Sequence, residues 1–188
     1  MILDTIAQVT NGYSFRSRIE ADPEAQGFVL QAADVREEGI CLADLTPYNT
    51  ADFSLERLLQ EGDVVFADKL SFKAAVFRSP EKESASVLPS SSVVVIRLMH
   101  RRVLPEYLAL VLNSSSMQRY FQSVSIGHTH RTIRIDEIRS IEIPEIPQVK
   151  QQELIALAQS IQTQKAYNDQ KNLYLDQLLD GTIQQIIQ

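Results

Sequence analysis

Cysteine and histidine are scarce in this chain of 188 residues. Cys41 is the single cysteine, so the chain cannot form an internal disulfide. The three histidines, His100, His128 and His130, lack the further clustered ligands that a protein zinc site needs. The sequence therefore predicts neither a disulfide nor a structural metal.

Long apolar runs are also missing. No stretch approaches the roughly 18 consecutive apolar residues that cross a bilayer. The N-terminus lacks the basic segment and apolar core of a signal peptide. We therefore expect a cytoplasmic protein with no membrane span. With 44% hydrophobic residues, the chain can nonetheless bury one core.

The common catalytic and cofactor motifs are absent as well. The chain contains no GxxxxGK[ST], GxGxxG, GxSxG or HExxH pattern. We therefore predict that it is not an enzyme and that it holds no cofactor. One alternative is a hydrolase that uses His128, His130, Asp136 and Glu137, which requires these four side chains to converge on a pocket.

The net charge of −6 disfavours a protein that simply coats nucleic acid, because phosphate binding needs an excess of Lys and Arg. The charge is unevenly distributed: residues 1–63 hold 12 acids and 4 bases, residues 64–147 hold 8 acids and 11 bases, and residues 148–188 hold 4 acids and 3 bases. The middle segment therefore permits DNA binding, although ordinary scatter of surface charge explains the same excess.

Short apolar runs separated by turns predict a β-rich domain in the first 147 residues. The predicted strands cover 28–33, 64–67, 74–77 and 92–98, with an extended piece at 133–135 and a short strand at 141–143. Pro105 suits the first turn of a helix that ends at Asn113, and Ser114 or Ser115 caps a second helix that stops before Gly127. The predicted class is α+β, a β-rich domain of mixed α/β structure.

The composition changes abruptly at Gln148. From there to the end the chain has eleven glutamines, no proline and one glycine, Gly181. This predicts a helix of about 33 residues, roughly 50 Å long, that ends or breaks at Gly181 and leaves Ile183, Ile186 and Ile187 as a terminal hook. We therefore divide the chain into a domain at 1–147 and a long helix at 148–188.

Apolar residues recur at heptad positions along this helix, with polar Gln164 and Lys171 in the middle of the seam. Such a seam predicts a coiled-coil homodimer in which Asn168 fixes the register. The predicted dimer residues are Leu154, Leu157, Ile161, Asn168, Leu175 and Leu178. The alternative is a helix that packs back along its own domain.

Three polar loops are candidates for contact with DNA. In the third of them, Gly127 permits close approach of the backbone, and Arg131 and Arg134 offer paired donors to phosphate or guanine. The candidates are Ser14, Arg16 and Arg18 in the first loop, Lys69, Ser71 and Lys73 in the second, and His128, Thr129, His130, Arg131, Thr132 and Arg134 in the third. A solvated polar loop is the alternative for the third, and the basic run 97–102 is a further candidate for contact with phosphates.

Taken in order, several segments resemble the specificity subunits of type I restriction-modification systems. These segments are Leu3-Asp4-Thr5-Ile6-Ala7, Asn11-Gly12-Tyr13-Ser14-Phe15, Leu58 through Gly62-Asp63-Val64-Val65-Phe66, Pro105-Glu106-Tyr107-Leu108, and Ile141-Glu142-Ile143-Pro144 followed by Gln152-Glu153 and the long helix. The resemblance lies in their order and spacing across nearly the whole chain.

That resemblance implies a target-recognition domain that reads one half of a split DNA sequence, followed by a helix that sets the distance between the halves. It also implies that methylation and cleavage belong to separate modification and restriction subunits, with S-adenosylmethionine on the modification subunit. Members of the family ordinarily carry two such domains and two long helices, whereas this chain has one of each.

We therefore expect either a truncated chain or a half-subunit that pairs with a copy of itself or with a different half-subunit. A self-paired half-subunit would read an inverted, interrupted repeat in double-stranded DNA. The alternative from another class is a protein-interaction adaptor whose helix only oligomerises.

Overall fold

Two β-sheets and a layer of helices form the first part of the chain. The computed structural model describes residues 1–69, 71–79, 86–127 and 131–187, with side chains as far as Gln184. The strands are β1 (Ala7–Asn11), β2 (Gly27–Leu30), β3 (Thr46–Tyr48), β4 (Val64–Ala67), β5 (Ala74–Val76), β6 (Ser86–Pro89) and β7 (Val93–Leu98). The large sheet has the order β1-β7-β4-β5 and is antiparallel throughout, and the small sheet has the order β3-β2-β6 with β2 and β6 parallel.

The helices are α1 (Pro105–Asn113), α2 (Ser115–Val124), α3 (Ile135–Arg139) and α4 (Gln148–Ile187). Pro105 occupies the first turn of α1, where a missing backbone N–H leaves no hydrogen bond unmade. The Ser114 hydroxyl accepts a hydrogen bond from the backbone N–H of Met117 and caps α2. The α+β class and both predicted helices are confirmed.

The large sheet lies in the middle of the domain and is covered on both faces. Val64 and Phe66 of β4 pack into the core beneath α1 to α3, while Val65 and Ala67 pack into a second core that faces the small sheet. All four side chains are completely buried. A strand that is buried on both faces needs apolar residues at every position, which is why these residues form a continuous run in the sequence.

Several predicted boundaries differ from the structure. The first predicted strand stops at Leu30, because Ala32–Asp34 forms a 3₁₀ turn in which Asp34 bonds back to Gln31. Residue 135 begins α3 and is not extended. The segment 141–143 alternates between buried and exposed as predicted, but it forms only one bridge, between Glu142 and Ile2. Strands β1, β3 and β6 were not predicted.

Helix α4 contacts the domain only through its first turns. The Gln151 amide is buried and bonds to the carbonyls of Arg102 and Ile146 and to the backbone N–H of Leu104. Ile155 packs against the main core. From Gln159 to Gln184 every residue is exposed. The alternative in which the helix packs along its whole length against its own domain is therefore wrong.

The predicted break at Gly181 is also wrong, since α4 continues through it to Ile187 and spans 40 residues. Glycine inside a helix costs only about 1 kcal/mol relative to alanine. That cost is too small by itself to end a helix, and none of the residues from 182 to 187 is a proline. The three terminal isoleucines therefore belong to the helix itself and form no separate hook.

Candidate nucleic-acid interface

One end of the two sheets collects most of the polar loops, and we call it the loop edge. The register places the last residue of β1, Asn11, beside Val94 near the start of β7, and the last residue of β4, Ala67, beside Val93. In the small sheet β2 and β6 run parallel and end together at Leu30 and Pro89. The loop edge therefore consists of residues 12–13, 31–39, 68–73, 90–92, 125–127 and 131–134, with residue 70 outside the described part.

The first and second candidate loops meet at the loop edge through the turn at 90–92. The backbone N–H of Tyr13 bonds to the carbonyl of Pro89, and the backbone N–H of Ser91 bonds to the carbonyl of Tyr13. The Lys69 ammonium donates to the carbonyl of Ser91 at 3.2 Å. Lys69 is thus held beside the start of the first loop.

The second and third candidate loops are joined directly. Lys69 forms an antiparallel bridge with Thr132, and Thr132 forms another with Ile126. The backbone N–H of Ile133 bonds to the carbonyl of Asp68 at 3.0 Å. Residues more than sixty positions apart are therefore brought into contact, and the described parts of the second and third predicted loops form one surface, which only the start of the first loop adjoins.

Gly12 allows the first loop to approach the turn at 90–92. A Cβ atom at this position would lie 2.2 Å from the Ser90 carbonyl oxygen, which is far inside van der Waals contact. The Ser90 and Ser92 hydroxyls are 2.8 Å apart, and the Ser92 hydroxyl accepts a hydrogen bond from the backbone N–H of Ala32. These contacts also tie the loop that follows β2 to the same surface.

The first loop is anchored by aromatic side chains. Tyr13 makes edge-to-face contacts with Phe15 and Phe53, each with ring centroids 4.9 Å apart, and Phe15 makes a similar contact with Tyr48. All four rings are half-buried. Because Tyr48 pairs with Gly27 at the start of β2, these contacts direct the first loop away from the loop edge. Ser14, Arg16 and Arg18 are exposed, and the structure does not bring them together with the second and third loops.

The predicted cations differ in their exposure and in whether they form ion pairs. Arg131 is exposed, and no ion pair of the described residues includes it, Arg16 or Arg18. Lys73 is half-buried and pairs with Glu37 at 2.7 Å, and Arg134 pairs with Glu137 at 3.3 Å. Ser71 is exposed and Thr132 half-buried. His128, Thr129 and His130 lie outside the described residues.

Two parts of the loop edge were missed from the sequence. Residues 31–33 were predicted as the end of the first strand and Ser92 as the start of the strand at 92–98, and residues 34–39, Ser90 and Ser91 were given no element. The register of β6 beside β2 brings both to this end. The three hydroxyls of Ser90 to Ser92 could have indicated this part of the loop edge, because short polar loops on a rigid sheet often bind ligands.

The basic run 97–102 lies at the opposite end of the large sheet. The Arg97 guanidinium donates to both carboxylate oxygens of Asp63, at 2.8 and 2.7 Å, and to the carbonyl of Leu58. Asp63 is only 2% exposed, and its hydrogen bond raises the pKa of Arg97. The carbonyls of Arg101 and Arg102 accept hydrogen bonds from the first turn of α4. Arg97 is therefore a structural residue in this fold.

The acidic residues of the hydrolase alternative are engaged in structural contacts. Glu137 accepts hydrogen bonds from the Tyr120 hydroxyl and from Arg134, and Asp136 is exposed and pairs with Arg139. Among the described residues no group of three His, Cys, Asp or Glu side chains is arranged to hold a metal ion. No helix in that same part of the chain is long and apolar enough to span a membrane.

Asp68 is a buried carboxylate at the base of the second loop. It is 6% exposed, and its Oδ1 atom has no hydrogen-bond partner among the described residues. Burial raises the pKa of its carboxyl above the ordinary range, and the charge of Lys69 opposes this only in part.

Phe72, in the same loop, has a φ of +51°, which a non-glycine residue rarely adopts. The backbone here is therefore strained, as at many binding sites.

We predict that Asp68→Asn stabilises the fold at neutral pH. A carboxyl whose pKa is raised by folding holds its proton more tightly in the folded state. Wild-type stability therefore falls as the pH rises from the unfolded value of about 4 through the folded value. Asparagine does not ionise, so the variant lacks this fall. Urea unfolding at about pH 4 and pH 7 measures the effect; a difference between variant and wild type that does not grow with pH would contradict it.

The architecture defines a class, a mixed α/β domain with its polar loops at one end and a long helix that projects from it. The chain is similar to solved structures from type I restriction-modification systems. It matches the S subunit from M. genitalium with a TM-score of 0.58 and 12% identity, over 87% of this chain and 38% of that one. It matches the HsdS subunit from Thermoanaerobacter tengcongensis with a TM-score of 0.58 and 16% identity, over 87% and 37%.

A third solved structure, which concerns complex assembly and conformational transition of the type I R-M system, gives a TM-score of 0.62 at 16% identity over 87% of this chain and 38% of that one. This chain therefore spans less than half the length of the solved chains. The sequence matches no protein-family model and no curated protein. At these identities the likeness concerns the fold, and the resemblance expected from the sequence is confirmed at that level.

Proposed function

We propose that this chain reads DNA as the specificity component of a type I restriction-modification system, with the loop edge as its reading surface. The observation that carries the proposal is the bridge between Lys69 and Thr132, which joins two polar, basic loops predicted separately from the sequence. A rigid sheet beneath these loops is how proteins hold groups that contact base edges and phosphates.

In this role the chain recognises DNA and performs no chemistry. It needs no cofactor, because methyl transfer and cleavage would belong to partner modification and restriction subunits, with S-adenosylmethionine on the modification subunit. Such partners contribute phosphate contacts of their own, which is compatible with a reader whose net charge is −6. Its site of action would be the cytoplasm.

The projecting helix supports a homodimer. Its seam residues are partly or fully exposed in the single chain, and Leu154, Leu157, Ile161, Leu175 and Leu178 each expose between 45% and 57% of their surface. Leucines and isoleucines repeated at heptad spacing on an exposed helix are stabilised by burial against a second helix. Asn168, which accepts a hydrogen bond from Gln164 at 3.4 Å, lies at the middle of this seam.

The charge of Lys171 favours an antiparallel pair of seams. A parallel pair would bring Lys171 against its own copy, where like charges repel. An antiparallel pair that sets Gln164 opposite Asn168 matches the leucines at the two ends and leaves Lys171 opposite Ile161. Beside Leu154 and Leu157, an apolar groove of about 610 Å³ between α4 and α1 offers further surface to the partner.

The length of the seam suits two half-sites about one DNA turn apart. Leu154 and Leu178 are separated by 24 residues of helix, or about 36 Å at 1.5 Å per residue. An antiparallel dimer would hold its two domains at about this separation, and one turn of B-DNA is about 34–36 Å long. Because the two reading surfaces are identical, the expected site is an inverted repeat with an unread spacer.

We predict that Arg131→Ala weakens DNA binding and leaves the fold intact, since Arg131 is exposed at the loop edge. A lost contact to a base edge reduces affinity by about 1–3 kcal/mol and relaxes specificity at one position. Lys73→Ala should have a smaller effect, because Glu37 already neutralises Lys73. The matched control is Arg101→Ala, an exposed arginine at the opposite end of the large sheet.

The site itself can be found by co-expressing the chain with candidate modification subunits and mapping the methylated positions. A bipartite inverted repeat is the expected result, and Arg131→Ala should reduce methylation at that repeat while Arg101→Ala does not. Equal methylation by both variants would show that the reading surface lies outside the loop edge.

A protein-interaction adaptor is the second candidate, and the apolar groove between α4 and α1 favours it, because such grooves also accept partner helices. Salt dependence separates the two functions. DNA binding should weaken steeply with ionic strength, with a slope proportional to the number of phosphates contacted. A chain that binds no duplex even at low salt would support the adaptor.

A further inference from the structure

A long segment of this acidic chain contains no acid at all. From Tyr107 to Ile135 there are 29 residues without Asp or Glu, although the whole chain has 24 acidic residues. The segment includes all of α2, and its charged side chains, Arg119, Arg131 and Arg134, are all cationic. Arg131 and Arg134 belong to the loop edge, whereas Arg119 lies on α2, which the proposed function leaves unused.

Helix α2 has one buried face and one polar exposed face. Phe121 is completely buried, with its ring 4.9 Å from that of Phe66, so this side of the helix packs onto the large sheet. The exposed residues recur at helical spacing on the other side and are Ser115, Ser116, Arg119, Gln122 and Ser123. We call this set the outer face of α2.

The outer face carries hydrogen-bond donors and one positive charge. Arg119 appears in none of the ion pairs of the described residues. Two carboxylates lie near α2: Glu137 bonds to the Tyr120 hydroxyl away from the outer face, and Glu142 lines the apolar groove together with Ser116 of the outer face. Arginine, glutamine and serine side chains are the groups that commonly donate to DNA phosphates.

The helix borders the loop edge at two points. The Gln118 amide donates to the carbonyl of Phe72 in the second loop at 2.8 Å. At its other end α2 leads through Ser125 to Ile126, which bridges Thr132 of the third loop. Helix α2 therefore lies next to the second and third loops.

We propose that the outer face of α2 is a second DNA contact surface, in which Arg119 and Gln122 bind the sugar-phosphate backbone beside the bases that the loop edge reads. The inference rests on the proposed function and extends the interface to a helix. Its contacts are to phosphate and are independent of sequence, so they position the duplex and add affinity for any DNA.

The test is a salt titration of binding to a short random-sequence duplex, with the full chain and with single variants. Each phosphate contact contributes about 0.9 to the slope of log K against log salt, which is about 3.5-fold in affinity between about 50 and 200 mM salt. Arg119→Ala should therefore reduce the loss of affinity over this range by about that factor. Arg119→Lys, which keeps the charge, should retain most of the slope.

Arg101→Ala is again the control and should leave the slope unchanged. If Arg119→Ala behaves like Arg101→Ala while Arg131→Ala weakens binding, the contact on α2 is refuted and the loop edge remains the reading surface. If the wild-type chain binds no duplex, the proposed function fails and this inference fails with it. A reduced slope for Arg119→Ala that Arg119→Lys does not restore would also overturn the proposal, because a phosphate contact requires only the charge.

Discussion

Replacing Leu175 and Leu178 together with aspartate is expected to convert a dimer into a folded monomer. Both side chains are about half exposed in the single chain and lie in the part of α4 that is exposed throughout, so the domain loses no packing. In a paired seam each leucine would contribute roughly 1.5–3 kcal/mol through burial, and the dimer holds four of them. The dissociation constant should therefore rise by far more than 100-fold, measured by sedimentation.

The loss of dimerisation should also weaken DNA binding. Linking two half-site readers raises overall affinity by about 10²–10⁴ through effective concentration, and a monomer loses that gain. The control is Gln170→Asp with Gln177→Asp, which adds the same charge on the opposite side of the helix. A double-leucine variant that sediments like the control would contradict pairing through the seam. Deletion from Gln148 onward is a poorer test, because it removes the buried Gln151 amide from the domain.

Asp63→Ala is expected to destabilise the domain by about 3 kcal/mol, as removal of one partner from a buried ion pair does. Asp63 is 2% exposed, and it accepts hydrogen bonds from the Arg97 guanidinium and from the backbone N–H of Gln60. Without it, the half-buried guanidinium keeps its charge and, among the described residues, retains only its hydrogen bond to the Leu58 carbonyl.

Urea unfolding at one protein concentration measures the loss, with Asp44→Ala as control. Asp44 pairs with Arg36 at a similar distance, 2.9 Å, but both side chains are about half exposed. An exposed pair of this kind contributes about 0–1 kcal/mol, so the two variants should differ clearly. Equal stability of Asp63→Ala and Asp44→Ala would refute a structural role for the basic run 97–102.

Features that depend on neighbouring residues could be predicted from the sequence. The buried strand at 64–67 follows from a continuous apolar run after a Gly-Asp turn, and α1 follows from a proline before a helical pattern. The start of α4 follows from a change in composition at Gln148. These elements are specified locally, by periodicity and by the residues that begin or end them.

Features that depend on distant contacts could not be predicted in this way. Arg97 looks like part of a basic surface until the strand register sets it against Asp63, 34 positions earlier. The strand β6 contains a proline and pairs in parallel with β2, so its local pattern gave no strand signal. The prediction at Gly181 failed for a different reason. It rested on the low helix propensity of one glycine, and the helix around that glycine outweighed it.

The amino-acid order by itself determined β4, β7, α1, α2 and the start of α4, together with the polar loops and the heptad pattern of the last helix, because backbone preferences and apolar periodicity act over a few residues. Only the tertiary structure decided that the second and third of those loops meet at one end of the sheets, that Arg97 is withdrawn from the surface and that α4 leaves its domain after the first turns. These outcomes follow from strand pairing and packing between residues far apart in the chain, and no local pattern records them.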